Sequence, residues 1–334
     1  MTQLSESVSL EREGDIALII VDNPPVNALS HHVRAGLLAG VQAIDDSDAA
    51  AGIIICAGRT FIAGADITEF SKASQGPGLN EVQNAMEACA KPLVSAIHGT
   101  ALGGGLETAL CTHFRVAVPS ARFGLPEVKL GLLPGAGGTQ RLPRVTGAAK
   151  AAEMVTTGEQ IGTDEALECG LIDEVVDDLR AGAVAFARRV VAEGKPLTRI
   201  RDRRDKLDDT DPELFDRVRA GMARRTRGFL APEANLQCIE AAVNLDFDAG
   251  LARERELFIE LSTGIQSKAQ QYYFFAERAA NKIPDVPRDT PTIDIGSVGV
   301  LGAGTMGGGI AMNFANAGIP VTLVERDQDA LDRG

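Results

Sequence analysis

The chain has 334 residues, 45% hydrophobic and 24% charged, with a formal net charge of -13 and no tryptophan. That length predicts two units, or one large domain with an appendage, and the balanced composition excludes disordered, collagen-like and coiled-coil chains. The acidic charge repels a phosphate backbone and aromatics reach only 4%, so no nucleic acid is expected as a partner.

The first fifteen residues are polar and acidic with no apolar stretch, which predicts neither secretion nor an organelle presequence. A cytoplasmic location is therefore expected. Residues 15–22 are apolar and rich in branched side chains before the Asn23-Pro24-Pro25 stop, so a strand and a turn are expected there. Residues 30–45 repeat apolar positions at helical spacing behind Ser30, a candidate N-cap. Strands follow at 51–57, 92–98, 114–119 and 171–176. Helices are expected near 80–90, at 104–112, from about 137 to 169, and near 178–193. Alternation at this spacing predicts an α/β architecture whose strands are buried on both faces.

From about 195 to 244 the chain becomes dense in charge, with acids interleaved among bases, and exposed helices are expected. Residues 252–281 read as a helix, and 283–291 hold three prolines in nine residues, the clearest linker. A strand over 293–301, glycines at 302, 304 and 307, a helix, and a strand over 320–325 ending in Glu325 then complete the chain. Such a fold needs further strands, so a truncated unit is expected. The five cysteines (Cys56, Cys89, Cys111, Cys169, Cys238) are scattered without a CxxC pair, so neither a disulfide framework nor a metal site is expected. No apolar run approaches the roughly 20 residues needed to cross a bilayer, so no membrane span is expected.

Three clusters carry chemistry. Gly302, Gly304 and Gly307 open a helix after a strand, a turn that lets a pyrophosphate approach the backbone, and Glu325 can take ribose hydroxyls. A glycine cluster at 103–105 also starts a helix, one turn before Glu107, and the Gly104 N–H can polarise a carbonyl oxygen. The loop over 58–70 can supply a second N–H. Glu127 lies between Pro126 and a glycine- and proline-rich run whose neighbours Leu125, Val128, Leu130 and Leu132 would raise its pKa. On spacing alone, a solvated or salt-bridged glutamate is the better reading of Glu127.

Four segments in order, NPPVNALS (23–30), FIAGADITEF (61–70), HGTALGGGLETAL (98–110) and FGLPEVKLGLLPGAGGTQRLPRVTG (123–147), resemble the crotonase superfamily. Residues 298–325 resemble the start of an L-3-hydroxyacyl-CoA dehydrogenase, and 272–280 the helical linker of bifunctional β-oxidation enzymes. The resemblance implies a spiral of β-β-α repeats over 1–190, a helical extension and linker over 191–291, and an incomplete Rossmann unit over 292–334. It implies hydration of a trans-2-enoyl-CoA, with isomerisation of a 3-enoyl-CoA as a second activity. It makes Glu107 and Glu127 the catalytic pair, with Glu107 activating water for C3 and Glu127 protonating C2. The oxyanion hole falls on the N–H groups of Ala65 and Gly104, and the CoA contacts on Ala63, Asp66 and Ile67. Hydration needs no cofactor; NAD belongs to the full-length parent, held at Gly302, Gly304, Gly307 and Glu325.

Acyl-CoA is the implied substrate, and a thiolase or a second copy the implied protein partner. Phe274 and Phe275 are expected to pack on the hydratase domain and wall the acyl tunnel. Asp66 also reads as a turn residue capping the next helix, His98 and His113 as core or sheet-end residues, and His31 and His32 as exposed. Arg199, Arg201, Arg203 and Arg204 are expected on a solvated face rather than on CoA phosphates. A dehydrogenase, a non-catalytic acyl-CoA binding module and another crotonase-type chemistry are the competing readings; missing strands oppose the first and the paired acids the second.

Overall fold

The computed structural model describes residues 1–66, 69, 75–280, 282–287 and 289–334. Contacts divide the chain into two units, Met1–Ala276 and Glu277–Gly334. In the first unit the strands are β1 (Thr2–Ser5), β2 (Val8–Glu13), β3 (Ile16–Val21), β4 (Ala51–Cys56), β5 (Leu93–Ile97), β6 (Thr100–Leu102), β7 (Phe114–Ala117), β8 (Arg122–Gly124), β9 (Ile161–Gly162) and β10 (Glu174–Val175). Among the described residues one sheet runs β1-β2-β3-β4-β5-β7-β10 and a smaller one β6-β8-β9. From β3 to β10 the neighbours in the larger sheet are parallel.

The helices are α1 (His31–Asp45), α2 (Leu79–Ala88), α3 (Gly104–Ala109), α4 (Gly138–Thr146), α5 (Ala148–Thr157), α6 (Thr163–Glu168), α7 (Leu179–Glu193), α8 (Leu214–Met222), α9 (Ala231–Asn244), α10 (Phe247–Thr263) and α11 (Ile265–Ala280). A repeat contributes one strand to each sheet and then a helix: β5, β6 and α3, then β7, β8 and the helices after them. This is the β-β-α spiral.

Strand alternation explains why the larger sheet needs helices on both faces. Ile16 and Leu18 of β3, Ile53 of β4 and Val94 of β5 pack with Val184, Phe186 and Val190 of α7. The alternate residues Ile19, Val21, Ile54 and Ile97 pack with Val33, Leu37, Val41 and Ile44 of α1. Each Ile or Leu fully buried this way contributes about 1.5–3 kcal/mol. The α1 stripe follows helical spacing, and Ser30 Oγ accepts the Val33 N–H as its N-cap.

Several expectations are corrected. The hairpin of β1 and β2 has no counterpart among them, because Glu11, Arg12 and Glu13 interrupt its apolar pattern. Residues 199–211 are turns around a short 3-10 helix, Ile200–Asp202, since adjacent like charges and several aspartates favour turns. Helix α9 is a core element with Asn235, Leu236, Cys238 and Ile239 buried. The helix expected over 252–281 is two helices, broken at Gly264, whose backbone is extended.

A third cluster is central to the site. Val128, Leu132 and Leu133, flanking the turn after Glu127, pack with Ala231, Ala234 and Cys238 of α9 and with Leu257 and Leu261 of α10.

In the second unit β11 (Val298–Leu301) and β12 (Val321–Val324) pair in parallel and are joined by α12 (Thr305–Asn316), with α13 (Gln328–Arg333) after them. Both strands are shorter than expected. Residues 291–297 form no strand.

Candidate active site

Three of the motif segments lie side by side. Asn27, at φ 53, anchors the first: its Nδ2 donates to the carbonyls of Ala57 at 2.9 Å and Thr60 at 2.8 Å, and its Oδ1 accepts the Asn23 N–H at 2.7 Å. The next segment then runs along it, with Ala63 N donating to Val26 O at 3.2 Å and Leu29 N to Gly64 O at 2.9 Å. On its other side Phe61 N donates to His98 O at 2.7 Å and Leu102 N to Ile62 O at 3.1 Å.

This stacking brings the Ala65 and Gly104 backbones together. A Cβ on Gly104 would lie 3.7 Å from the Ala65 nitrogen. Gly104 is the first residue of α3, where an N–H has no acceptor within the helix. Two backbone donors can therefore converge on one oxygen atom, as an oxyanion hole requires.

The two acids meet at the same place. Glu107, one turn into α3, is 3% exposed, and its Oε1 accepts the N–H groups of Ala136 and Gly138, each at 2.8 Å. Glu127 sits on a 3-10 helix, Pro126–Leu130, closed by left-handed Gly131. Gly103 turns the chain from β6 into α3 at φ 52, and a Cβ there would lie 2.6 Å from Glu127 Oε1. Only glycine suits both that backbone and that contact. Glu127 Oε2 is shielded from solvent and has no hydrogen-bond partner among the described residues, so it is a buried polar atom that calls for one.

Their environments push the two proton affinities apart. Burial raises Glu107, but the Ala136 and Gly138 N–H groups and the Arg141 charge pull it back. Burial, followed by the like charge of Glu107, raises Glu127 well above the ordinary carboxylate range. Such a split suits Glu107 to accept a proton and Glu127 to give one.

Two further elements hold this arrangement, and neither was anticipated from sequence. Glu254 of α10 is 2% exposed; its Oε1 accepts the Gly137 N–H at 2.7 Å, and its Oε2 accepts the Thr139 N–H at 3.2 Å and the Thr139 hydroxyl. Arg141 of α4 donates through Nε to Glu87 of α2 at 2.8 Å and through Nη1 to the Ala136 carbonyl at 3.1 Å. A signal for Glu254 exists: it lies on the buried stripe Phe247, Gly250, Glu254, Leu257, Leu261. An acid in that register is out of place unless it has buried donors.

Of the residues expected at the CoA, Ala63 and Asp66 lie on the same loop as Ala65, and Ile67 lies outside the described residues. Gly302, Gly304, Gly307 and Glu325 belong to the second unit. A Cβ on Gly307 would lie 1.7 Å from Gly302 O, and Glu325 Oε2 accepts the Ala303 N–H at 2.9 Å. Glycines and acid thus converge on one turn, which suits a dinucleotide.

Phe274 and Phe275 stack edge to face at 5.5 Å. Phe275 is 44% exposed, so the expected packing of both rings on the hydratase elements is not met there. His113 is buried, accepts the Leu93 N–H, and is held down at about 4 by burial. His31 is half-buried rather than exposed. Arg199, Arg201, Arg203 and Arg204 pair with Asp202, Asp248, Asp205 and Asp208. The buried thiols of Cys89, Cys111 and Cys238 are pushed up to about 11, 12 and 12, chiefly by burial. Among the described residues no helix is long and apolar enough to cross a membrane.

Comparison with known proteins identifies the family. The family described as enoyl-CoA hydratase/isomerase matches residues 11–206, and the NAD binding domain of 3-hydroxyacyl-CoA dehydrogenase matches 297–334. A peroxisomal bifunctional enzyme of Cavia porcellus is 41% identical over 95% of this chain and 45% of its own length. A peroxisomal fatty acid beta-oxidation multifunctional protein of Arabidopsis thaliana is 35% identical over 97% of this chain and 47% of its own. This chain thus spans less than half the length of these relatives. The solved enoyl-CoA hydratase of Bacillus anthracis is 26% identical over 82% of this chain and 97% of its own, with a TM-score of 0.53. The relatives' names overturn the expected cytoplasmic location. Addresses read by a receptor, as for peroxisomes, need no apolar segment, so the polar start of the chain carried no information on this point.

Proposed function

This chain belongs to the enoyl-CoA hydratase/isomerase family, and from that premise we propose that it adds water to a trans-2-enoyl-CoA in fatty-acid β-oxidation, giving the 3-hydroxyacyl-CoA. The carrying observation is a pair of glutamates, Glu107 buried and Glu127 half-buried with its Oε2 sealed from solvent, beside two adjacent backbone donors. The thioester carbonyl oxygen accepts the Ala65 and Gly104 N–H groups, which draws electrons from the C2–C3 double bond. Water bonds through oxygen to C3 as Glu107 takes one of its protons, and Glu127 gives its proton to C2. The proton on Glu107 then returns to Glu127, so the net change is one water added. Ala63, Asp66 and Ile67 are proposed to meet the CoA.

The same carboxylates can move a proton between C2 and C4, which supports isomerisation of 3-enoyl-CoA as a second activity. In this reading residues 1–190 carry the hydratase, 191–291 its extension and linker, and 292–334 the start of a dehydrogenase. In a longer parent, NAD at Gly302, Gly304, Gly307 and Glu325 would supply a hydride acceptor. The relatives support a peroxisomal setting. Association with a thiolase or a second copy is open to sedimentation of the chain alone and with thiolase.

The test is loss of enoyl-thioester absorbance with crotonyl-CoA and decenoyl-CoA. Wild type should turn over, and Glu107→Gln and Glu127→Gln should each lower kcat by about 10²–10⁴-fold. Binding of CoA esters without turnover in wild type would leave an acyl-CoA binding module or another crotonase-type chemistry instead.

A further inference from the structure

We infer that Glu254 is a positioning residue for hydration, acting through the four-residue strip 136–139 that orients Glu107. The N–H groups of this strip point alternately to two carboxylates. Those of Ala136 and Gly138 go to Glu107 Oε1, and those of Gly137 and Thr139 go to Glu254. The strip is clamped between the two acids, so a shift on the Glu254 side moves the donors that hold Glu107.

Other contacts remove the freedom that would let the strip adjust. Arg141 Nη1 holds the Ala136 carbonyl, and Gln140 Nε2 donates to Thr139 Oγ1 at 2.9 Å and to Cys238 O at 3.0 Å. A Cβ on Gly138 would lie 2.7 Å from Glu107 Oε1, so carboxylate and backbone are already in contact. Glu254 does not fill space as a neighbouring leucine would. A buried carboxylate is unfavourable unless its oxygens are satisfied, and here both oxygens are used on this one strip.

The inference also concerns where the site ends. The family match covers residues 11–206, whereas Glu254 lies beyond it on α10. The helical extension therefore contributes to the geometry of the site and does not merely connect two units.

This inference rests on the hydratase reading, and one experiment separates the two. The full chain is assayed with crotonyl-CoA as wild type, Glu254→Gln and Glu254→Asp, measuring kcat, KM and Tm. Glu254→Gln places an amide NH2 against a backbone N–H, so kcat should fall about 10–100-fold with KM within about twofold, the size expected for a misplaced reacting group. Glu254→Asp keeps the carboxyl group on a shorter stem and should recover part of the loss. A kcat within twofold of wild type in Glu254→Gln, whatever its Tm, overturns the inference, as does a raised KM at unchanged kcat. Should Glu254→Gln fail to fold, Glu254→Asp decides: lowered kcat at unchanged KM supports the role, and wild-type kcat overturns it. Absence of turnover in wild type refutes the hydratase reading before any variant is compared.

Discussion

Burial, and then the like charge of Glu107, raises Glu254 from an ordinary 4.5 to about 8. A folded-state value above the unfolded one gives stability that is fully present below the unfolded value. It is lost as pH rises through the folded value, because the unfolded chain releases that proton first. Wild type should therefore lose Tm between about pH 4.5 and 8, and Glu254→Gln should lose less over the same window. Parallel Tm curves for the two proteins would show that this side chain does not carry the titration. Glu107 and Glu127 were legible as candidates because each stands next to a glycine-rich turn within a recognisable segment. Glu254 left one trace, an acid on an apolar helical stripe, but its role was not legible, since its partners Gly137 and Thr139 lie more than a hundred residues earlier.

Among the elements, α4 is the one on which the site depends most. Its first N–H groups face Glu107 and Glu254, and its Arg141 reaches Glu87 on α2 with both side chains nearly sealed from water, at 2% and 3% exposed. Breaking such a pair leaves an uncompensated buried charge, so Arg141→Met should cost about 3–5 kcal/mol in urea unfolding. A loss under about 1 kcal/mol would mean that Arg201, 3.5 Å from Glu87, takes over the pairing. The helices were readable from apolar spacing, as in α1, where capping and stripe agree. The break between α10 and α11 was not, because a lone glycine does not reveal whether the chain bends or continues.

For the whole molecule, the contrast lies between the two units. The first buries both faces of its larger sheet. The second has a two-stranded sheet, and α12 has no buried residue. Two strands alone are only marginally stable. Amide protons in β11 and β12 should exchange orders of magnitude faster than those of β3, β4 and β5. Equal protection in both would show that the second unit is held by more than its own contacts.

By itself the sequence determined the alternation of strands and helices, the glycine-rich turns and the two acids beside them, because period, turn chemistry and local burial all act over a few residues. Only the tertiary structure decided that Ala65 and Gly104 lie side by side, that Glu127 faces the start of α3, and that α10 sends a third carboxylate beneath Glu107. Those contacts join residues from segments far apart in the chain. Their energies come from desolvation and from donors placed by other elements, which no local pattern records.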